Sequence, residues 1–303
     1  MIENTEINKY SEGARGGVDC DNSASPCRAA DNAQDLPFLP HEARLPINRC
    51  NLPAQILGGV TFQHHPAALE IDGVAELHGD LFRRLDRLGD KALRAAAFRD
   101  YLTVRFCFEC LDEAGLDAAS GKRGKANWMR QLRGWSFDSD GQEGAVLKGW
   151  VESRFGLLPR FHGQPLRDYG EPAYMRYLEM RARGLYGTNA LESQLDLVYA
   201  YCQYEYRRSD VAPHLTLYRG INRLTEHEIL WQGRGGRQVV LLNSLNSFTT
   251  SRERAGEFGD YIVTAAIPPA KVFFHCSLLP GVLKGEDEYL VIGGACEVVL
   301  STY

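Results

Sequence analysis

A change of hydrophobic period near Pro213 limits what this chain can fold into more than any other feature. From about 74 to 208 apolar residues recur every three or four positions. Leu77, Leu81, Leu85 and Leu88 form one such stripe, and Leu93, Ala97, Tyr101, Val104 and Phe108 form the next. That spacing puts side chains on one face of a helix. Further helices are expected near 125–134, 145–155, 172–183 and 189–207, the last capped by Asn189 or Thr188 with Glu192 completing a capping box. After Pro213 the apolar runs shorten to strand length and lie between Gly, Pro, Asn and Asp. The expected strands are 214–219, 238–242, 247–251, 261–267, 271–275, 288–292 and 296–301, with one short helix over 252–258. Helices followed by strands predict an α+β fold, a helical N-terminal half and a mainly β second half, and argue against a doubly wound parallel sheet.

Residues 1–44 are rich in Ser, Asn, Asp, Gly and Pro without apolar periodicity, so burial there cannot offset chain entropy. The expected organisation is therefore a flexible head over 1–44 and one domain over 45–303, mainly helical to 208 and β-rich from 209. Between two Pro-bounded stretches, Gln55–Val60 reads as a short strand or a loop.

The formal charge of the 303 residues is −5. Residues 1–45 hold eight acids against four bases, which leaves the body close to neutral. Such a balance gives no support to nucleic-acid binding. No apolar run approaches the roughly 20 residues of a membrane span, and the N-terminal residues lack a secretory pattern. The eight cysteines are scattered, which suits free thiols in a reducing compartment, so a cytoplasmic location is expected.

Several motifs fail by one feature. Gly115 to Lys122 has five residues between its glycines where a phosphate-binding loop needs four. His227-Glu228 opens like a zinc-protease helix, but Trp231 stands where the second His is required. Cys107 and Cys110 have redox-pair spacing, yet they fall in an expected helix without a second pair, and no metal site is expected.

Three pieces of the β-rich half carry chemistry together. Leu215–Gly220 is a strand ending in Arg219-Gly220, where a guanidinium fork can meet a phosphate and the glycine permits close backbone approach. In the hydroxyl run Ser247-Phe248-Thr249-Thr250-Ser251, strand alternation puts Thr249 and Ser251 on one face and Thr250 on the other. Glu286-Asp287-Glu288 leads into an apolar strand, with the two glutamates on one face about 6–7 Å apart. Close carboxylates separate each other's roles. Taken singly, each piece equally fits a surface arginine, a polar edge strand or a solvated turn.

In this order and in separate strands, the three resemble the Arg, Ser-Thr-Ser and Glu-x-Glu signature of arginine-specific mono-ADP-ribosyltransferases. From about Leu45 to the C-terminus the chain also resembles the dinitrogenase reductase ADP-ribosyltransferase family, notably at Leu45–Pro53 and Phe62–Pro66. The resemblance implies an ADP-ribosyltransferase core with NAD as co-substrate. It further implies dinitrogenase reductase, the nitrogenase iron protein, as acceptor and a PII-type nitrogen signal protein as a regulatory partner. It assigns NAD binding to Arg219, Gly220, Thr249, Thr250 and Ser251, the hydroxyl element also bracing the catalytic glutamate. Glu288 is then the residue that binds the nicotinamide ribose and stabilises charge as the glycosidic bond breaks, and Glu286 holds and deprotonates the acceptor. Where related toxins place an aromatic in the turn before the glutamates, Ser277–Lys284 has none. Phe258, after the hydroxyl strand, has two readings, a wall of the nicotinamide pocket or core packing, and core packing is the one expected. Two alternatives stand beside the transferase: an NAD glycohydrolase, which needs Glu288 but not Glu286, and a non-catalytic regulatory module of the same fold.

Overall fold

The helical half is anchored by charges buried between helices. In a computed structural model, which describes residues 37–109, 126–222, 227–280 and 287–302, residues 36–303 form one unit. Ten α-helices are present among the described residues: α1 (Ala54–Leu57), α2 (Val60–His64), α3 (Val74–Leu77), α4 (Gly79–Asp86), α5 (Lys91–Arg105), α6 (Trp128–Phe137), α7 (Gln142–Phe155), α8 (Pro172–Leu185), α9 (Leu191–Arg208) and α10 (Arg252–Gly256). The longest, α9, carries two buried carboxylates. Asp196 accepts two hydrogen bonds from Arg154 of α7 (2.7 and 2.9 Å), and Glu205 accepts two from Arg94 of α5 (2.7 and 2.8 Å). These bidentate pairs fix which faces meet.

The Arg94 pair also explains a shifted stripe. Leu93 and Val104 are exposed; Ala97 is buried as expected, on a face completed by Arg94, Ala95, Phe98 and Leu102. The guanidinium, held in its charged form chiefly by the Glu205 hydrogen bonds, turns the helix away from the face its leucine suggested. Leu77 is likewise exposed, because the expected first helix breaks at His78 into α3 and α4.

Two local expectations give way to packing. Gln55–Val60 is helical, α1 and the start of α2 flanking the Gly58-Gly59 pair. A side chain on Gly58 would collide with Leu157, and one on Gly294, whose φ is +107°, with the Gly58 backbone. Two glycines thus let the first helices lie directly on the sheet, and Ala295 N–H donates to the Gly58 carbonyl (2.8 Å). At α9 the N-cap is Ala190, with no side-chain cap, and Glu192 pairs with Arg154 (3.2 Å) instead of closing a box. In the segment read as a flexible head, Leu39 and Ala43 are buried and Arg44 bridges to Leu157. Its first 36 residues, Gly115–Lys122 and Cys110 lie outside the described residues.

The sheet has six strands: β1 (Leu215–Ile221), β2 (Glu228–Gln232), β3 (Arg237–Phe248), β4 (Tyr261–Ile267), β5 (Val272–His275) and β6 (Tyr289–Thr302). All pairings are antiparallel, in the order β1-β4-β6-β3-β2, with β5 on β6. Pairs of expected strands fuse. Runs 238–242 and 247–251 contribute to β3 across a bulge between Leu242 and Leu245, and 288–292 and 296–301 to β6 across Gly293-Gly294. A side chain on Gly293 would overlap the Asn243 carbonyl, so the glycine and the bulge share one place. His227-Glu228 leads into β2, not a helix. The sheet carries α9 through β5: Tyr199 Oη donates to the Ala270 carbonyl (2.8 Å) and Gln203 Nε2 to that of Val272 (2.9 Å). Among the described residues no helix is long and apolar enough to cross a membrane.

Replacing Glu205 with Ala strands the Arg94 charge in the interior and should cost about 3–5 kcal/mol of unfolding free energy. Pairing Arg94→Met with Glu205→Leu should recover most of it. Urea unfolding of wild type and both variants checks this, and equal loss in the single and the double variant contradicts the account.

Candidate active site

The site begins where two strands that are not sheet neighbours meet. Tyr218 of β1 and Thr249, just past β3, exchange backbone hydrogen bonds in both directions (2.8 and 2.9 Å). This brings Arg219 beside β3, where its Nη1 donates to the Ser247 carbonyl (2.9 Å). Gly220 does serve close approach, though toward the protein itself. A Cβ there would lie 2.0 Å from the Ala255 carbonyl, so the glycine lets α10 press on β1. Ser251 caps that helix, its Oγ accepting from Arg254 N–H (3.1 Å).

Glu288 immediately precedes β6, and its carboxylate is gripped from both halves of the chain. Oε1 accepts from Ser247 Oγ (2.5 Å) and Trp135 Nε1 (3.2 Å), and Oε2 accepts from Ser136 Oγ (2.9 Å). Trp135 Nε1 also donates to Ser247 Oγ (2.9 Å), which ties the end of α6 to β3. Three donors on one carboxylate fix its direction before any ligand arrives.

The hydroxyls expected to brace Glu288 hold its neighbour. Thr249 Oγ1 and Thr250 N–H each donate to Asp287 Oδ2 at 2.9 Å, and Thr250 Oγ1 donates to the same oxygen. Strand alternation does not extend through Ser251, because β3 ends at Phe248 and the chain turns. Ser247, still on the strand, meets the glutamate, and the turn meets the aspartate. Burial works to raise the Asp287 carboxyl, but the hydrogen bonds from Thr250 and Thr249 and the nearby His275 outweigh it and hold it below the usual carboxylate range. His275 Nε2 stands 3.4 Å from Asp287 Oδ1, its ring stacked on Tyr289 with centroids 3.7 Å apart. Burial pushes this imidazole down, against the pull of Asp287. Glu286 lies outside the described residues.

Arg219, Thr249 and Glu288 line one cavity of about 390 Å³, together with Ser136, Phe137 and Phe258. Phe258 is 64% exposed on its wall, which corrects the core-packing expectation: the helix it follows ends at Gly256, leaving the ring outside. A second cavity of about 170 Å³ adjoins the first, sharing Trp135, Ser139, Arg219 and Ser247 and extending to Lys148 and His227. Burial and the Arg219 charge push the His227 imidazole down to about 4, so it is neutral near pH 7. Burial also lowers the Lys148 ammonium, which Asp140 (2.7 Å) counters. Arg219 therefore stands at the junction of two lobes. Among the described residues no three His, Cys, Asp or Glu side chains cluster as metal ligands.

Sequence reasoning missed Trp135, Ser136, Ser247 and Asp287 as contributors. Ser247 and Asp287 sat inside motifs already singled out and lacked only the correct strand end. Nothing in the sequence links Trp135 and Ser136 to a glutamate more than 150 residues away.

The sequence profile of the family described as dinitrogenase reductase ADP-ribosyltransferase matches residues 47–300. A curated protein of Rhodospirillum rubrum named NAD(+)--dinitrogen-reductase ADP-D-ribosyltransferase is 37% identical over 270 residues, covering 87% of this chain and 96% of that protein. No solved structure matches the chain.

Because Asp287 is depressed in the folded state, the unfolded chain binds the extra proton as acidity rises. Its contribution to stability is complete above the ordinary carboxylate value of 3.8 and fades as pH falls through the lower folded value. Thermal unfolding of wild type and Asp287→Asn across pH 2–6 should show the largest gap at the upper end, closing toward the acid end. A gap that widens with acid contradicts the assignment.

Proposed function

The chain belongs to the dinitrogenase reductase ADP-ribosyltransferase family, and from that membership we propose that it moves ADP-ribose from NAD to an arginine of dinitrogenase reductase, inactivating nitrogen fixation reversibly in the cytoplasm. The observation that carries the reading is the Glu288 carboxylate, oriented by Ser247, Trp135 and Ser136 in a cavity that Arg219 shares. NAD has two nucleoside ends joined by a pyrophosphate. Two adjoining cavities with a guanidinium at their junction suit that shape and charge.

In the proposed reaction the bond from ribose C1 to the nicotinamide nitrogen breaks, and its electron pair returns the ring to neutrality. The ribose gains positive charge, which the fixed Glu288 carboxylate stabilises more strongly than it does neutral ground-state sugar. An acceptor guanidinium nitrogen supplies the new bond and loses a proton. With a pKa above about 12 it needs a base, the role proposed for Glu286. Arg219 is proposed to hold the pyrophosphate, with Gly220, Thr249, Thr250 and Ser251 shaping the NAD site through α10 and the turn that carries Asp287. A PII-type signal protein is proposed as regulator on the family resemblance.

The test is mass spectrometry of dinitrogenase reductase after incubation with NAD and the folded protein; ADP-ribose on no arginine contradicts the proposal. Glu288→Gln should remove both transfer and NAD hydrolysis. Ser136→Ala and Ser247→Ala each delete a hydrogen bond to a charged group worth about 1.5–3 kcal/mol. They should lower kcat by about tenfold or more with little change in KM for NAD. Arg219→Ala should chiefly raise KM for NAD.

A further inference from the structure

Phe137 is the most exposed of the large apolar side chains among the described residues, at 92%, yet it stands on the wall of the cavity that holds Glu288. It is the last residue of α6 and directly follows Ser136, whose hydroxyl binds Glu288 Oε2. Trp135, buried at the same helix end, ties that turn to Ser247. The ring is thus carried by a fixed backbone at the cavity wall while receiving no burial of its own.

We propose that the face of Phe137 receives the planar guanidinium of the acceptor arginine, making it an acceptor-specificity residue. The inference rests on the transferase reading above. Three observations point to a cation on the cavity side of this ring. First, the carboxylates lie at this end of the cavity: Glu288 is bonded to Ser136, the residue next to the ring, and Asp287 lines the same cavity. Second, the C-terminal end of a helix carries partial negative charge, and Phe137 is the terminal residue of α6. Third, the carboxylates already accept hydrogen bonds, Asp287 from Thr249 and Thr250 and Glu288 from Ser136, Ser247 and Trp135. A π-face attracts a guanidinium by its quadrupole and by stacking without competing for those bonds.

The two exposed aromatics of the cavity divide the work by position. Phe258 follows α10, its N–H bonded to Ala255, the residue against which Gly220 packs, so it belongs to the Arg219 end. Phe137 belongs to the Glu288 end through Ser136. An acceptor must reach the ribose beside Glu288. Phe137 therefore supplies from the helical half the aromatic surface that Ser277–Lys284 lacks.

The test uses the full chain with dinitrogenase reductase and NAD, comparing Phe137→Ala, Phe137→Leu and Phe137→Trp. A cation–π contact is expected to make Ala and Leu lower kcat/KM for the protein acceptor by about tenfold while Trp retains it. NAD hydrolysis without acceptor should fall less than transfer to the protein acceptor, because water takes the place of the guanidinium in that reaction. Leu matching wild type means the ring acts only as apolar surface and overturns the proposal. A raised KM for NAD, or equal loss of hydrolysis and transfer, places the ring against NAD or in folding and also overturns it. Wild-type protein that labels no arginine overturns the functional reading, and this proposal with it. Wild type that labels while Phe137→Ala labels equally well overturns this proposal alone.

Discussion

Tyr218 and Thr249 exchange both backbone hydrogen bonds although β4 and β6 lie between their strands along the sheet. That exchange requires the sheet to curl until the far end of β3 meets β1. The means are visible in the ladder: a bulge at Asn243-Ser244, the glycines opposite it, and further register breaks in β2 and β5. Bulges add twist, and here the added twist is concentrated on the strand that must change partners. Without the crossing, Arg219 would stand on an edge strand away from Ser247 and Glu288. With it, a guanidinium from one strand and a carboxylate from another face one cavity.

Curling alone leaves the carboxylate on a strand entrance that is free to fray. The helical half removes that freedom by placing Trp135 and Ser136 against Glu288. Their own position depends on how the helices are stacked. Arg154–Asp196 and Arg94–Glu205 join α7 and α5 to α9, and α9 is bonded to the segment around β5. Buried ion pairs add little net stability against apolar replacements, but a misaligned pair leaves bare charge in the interior, so they penalise every other stacking. Orientation of the Glu288 carboxylate is thus inherited from charge pairs distant from it in sequence.

Local pattern carried much of this fold, because period reports directly which face is buried. The change at Pro213, most helix positions and the Arg219, hydroxyl and acid motifs were readable on that basis. What escaped depended on partners. Arg94 turned its helix because Glu205 lay opposite, and the first helices reach the sheet because Gly294 has no side chain to meet the Gly58 backbone. The fused strands looked like separate ones because Gly and Asn mark turns in isolation but a bulge when a neighbouring strand supplies the ladder. At the site, Arg219 and Gly220 lie in their expected strand, whereas Thr249, Thr250 and Ser251 lie past the end of β3 and Glu288 just before β6, and the assignment of Thr249 and Thr250 to Glu288 failed by the location of one strand end.

That displacement of the strand end, from Ser251 to Phe248, has a chemical consequence. Consecutive carboxylates at the mouth of a strand repel each other. Asp287 is tied to the turn at Thr249–Thr250 and faces His275, whereas Glu288 is tied to Ser247 and the end of α6. Neighbours in sequence are thereby fastened to different parts of the protein, and their side chains point apart as strand geometry demands. Asp287, kept ionised by its donors, serves to hold the turn. Glu288 keeps a fixed carboxylate at the cavity wall beside Arg219. A hydroxyl run adjoining an acid cluster can therefore divide structural and electrostatic work between adjacent residues, and the strand end decides which acid receives which part.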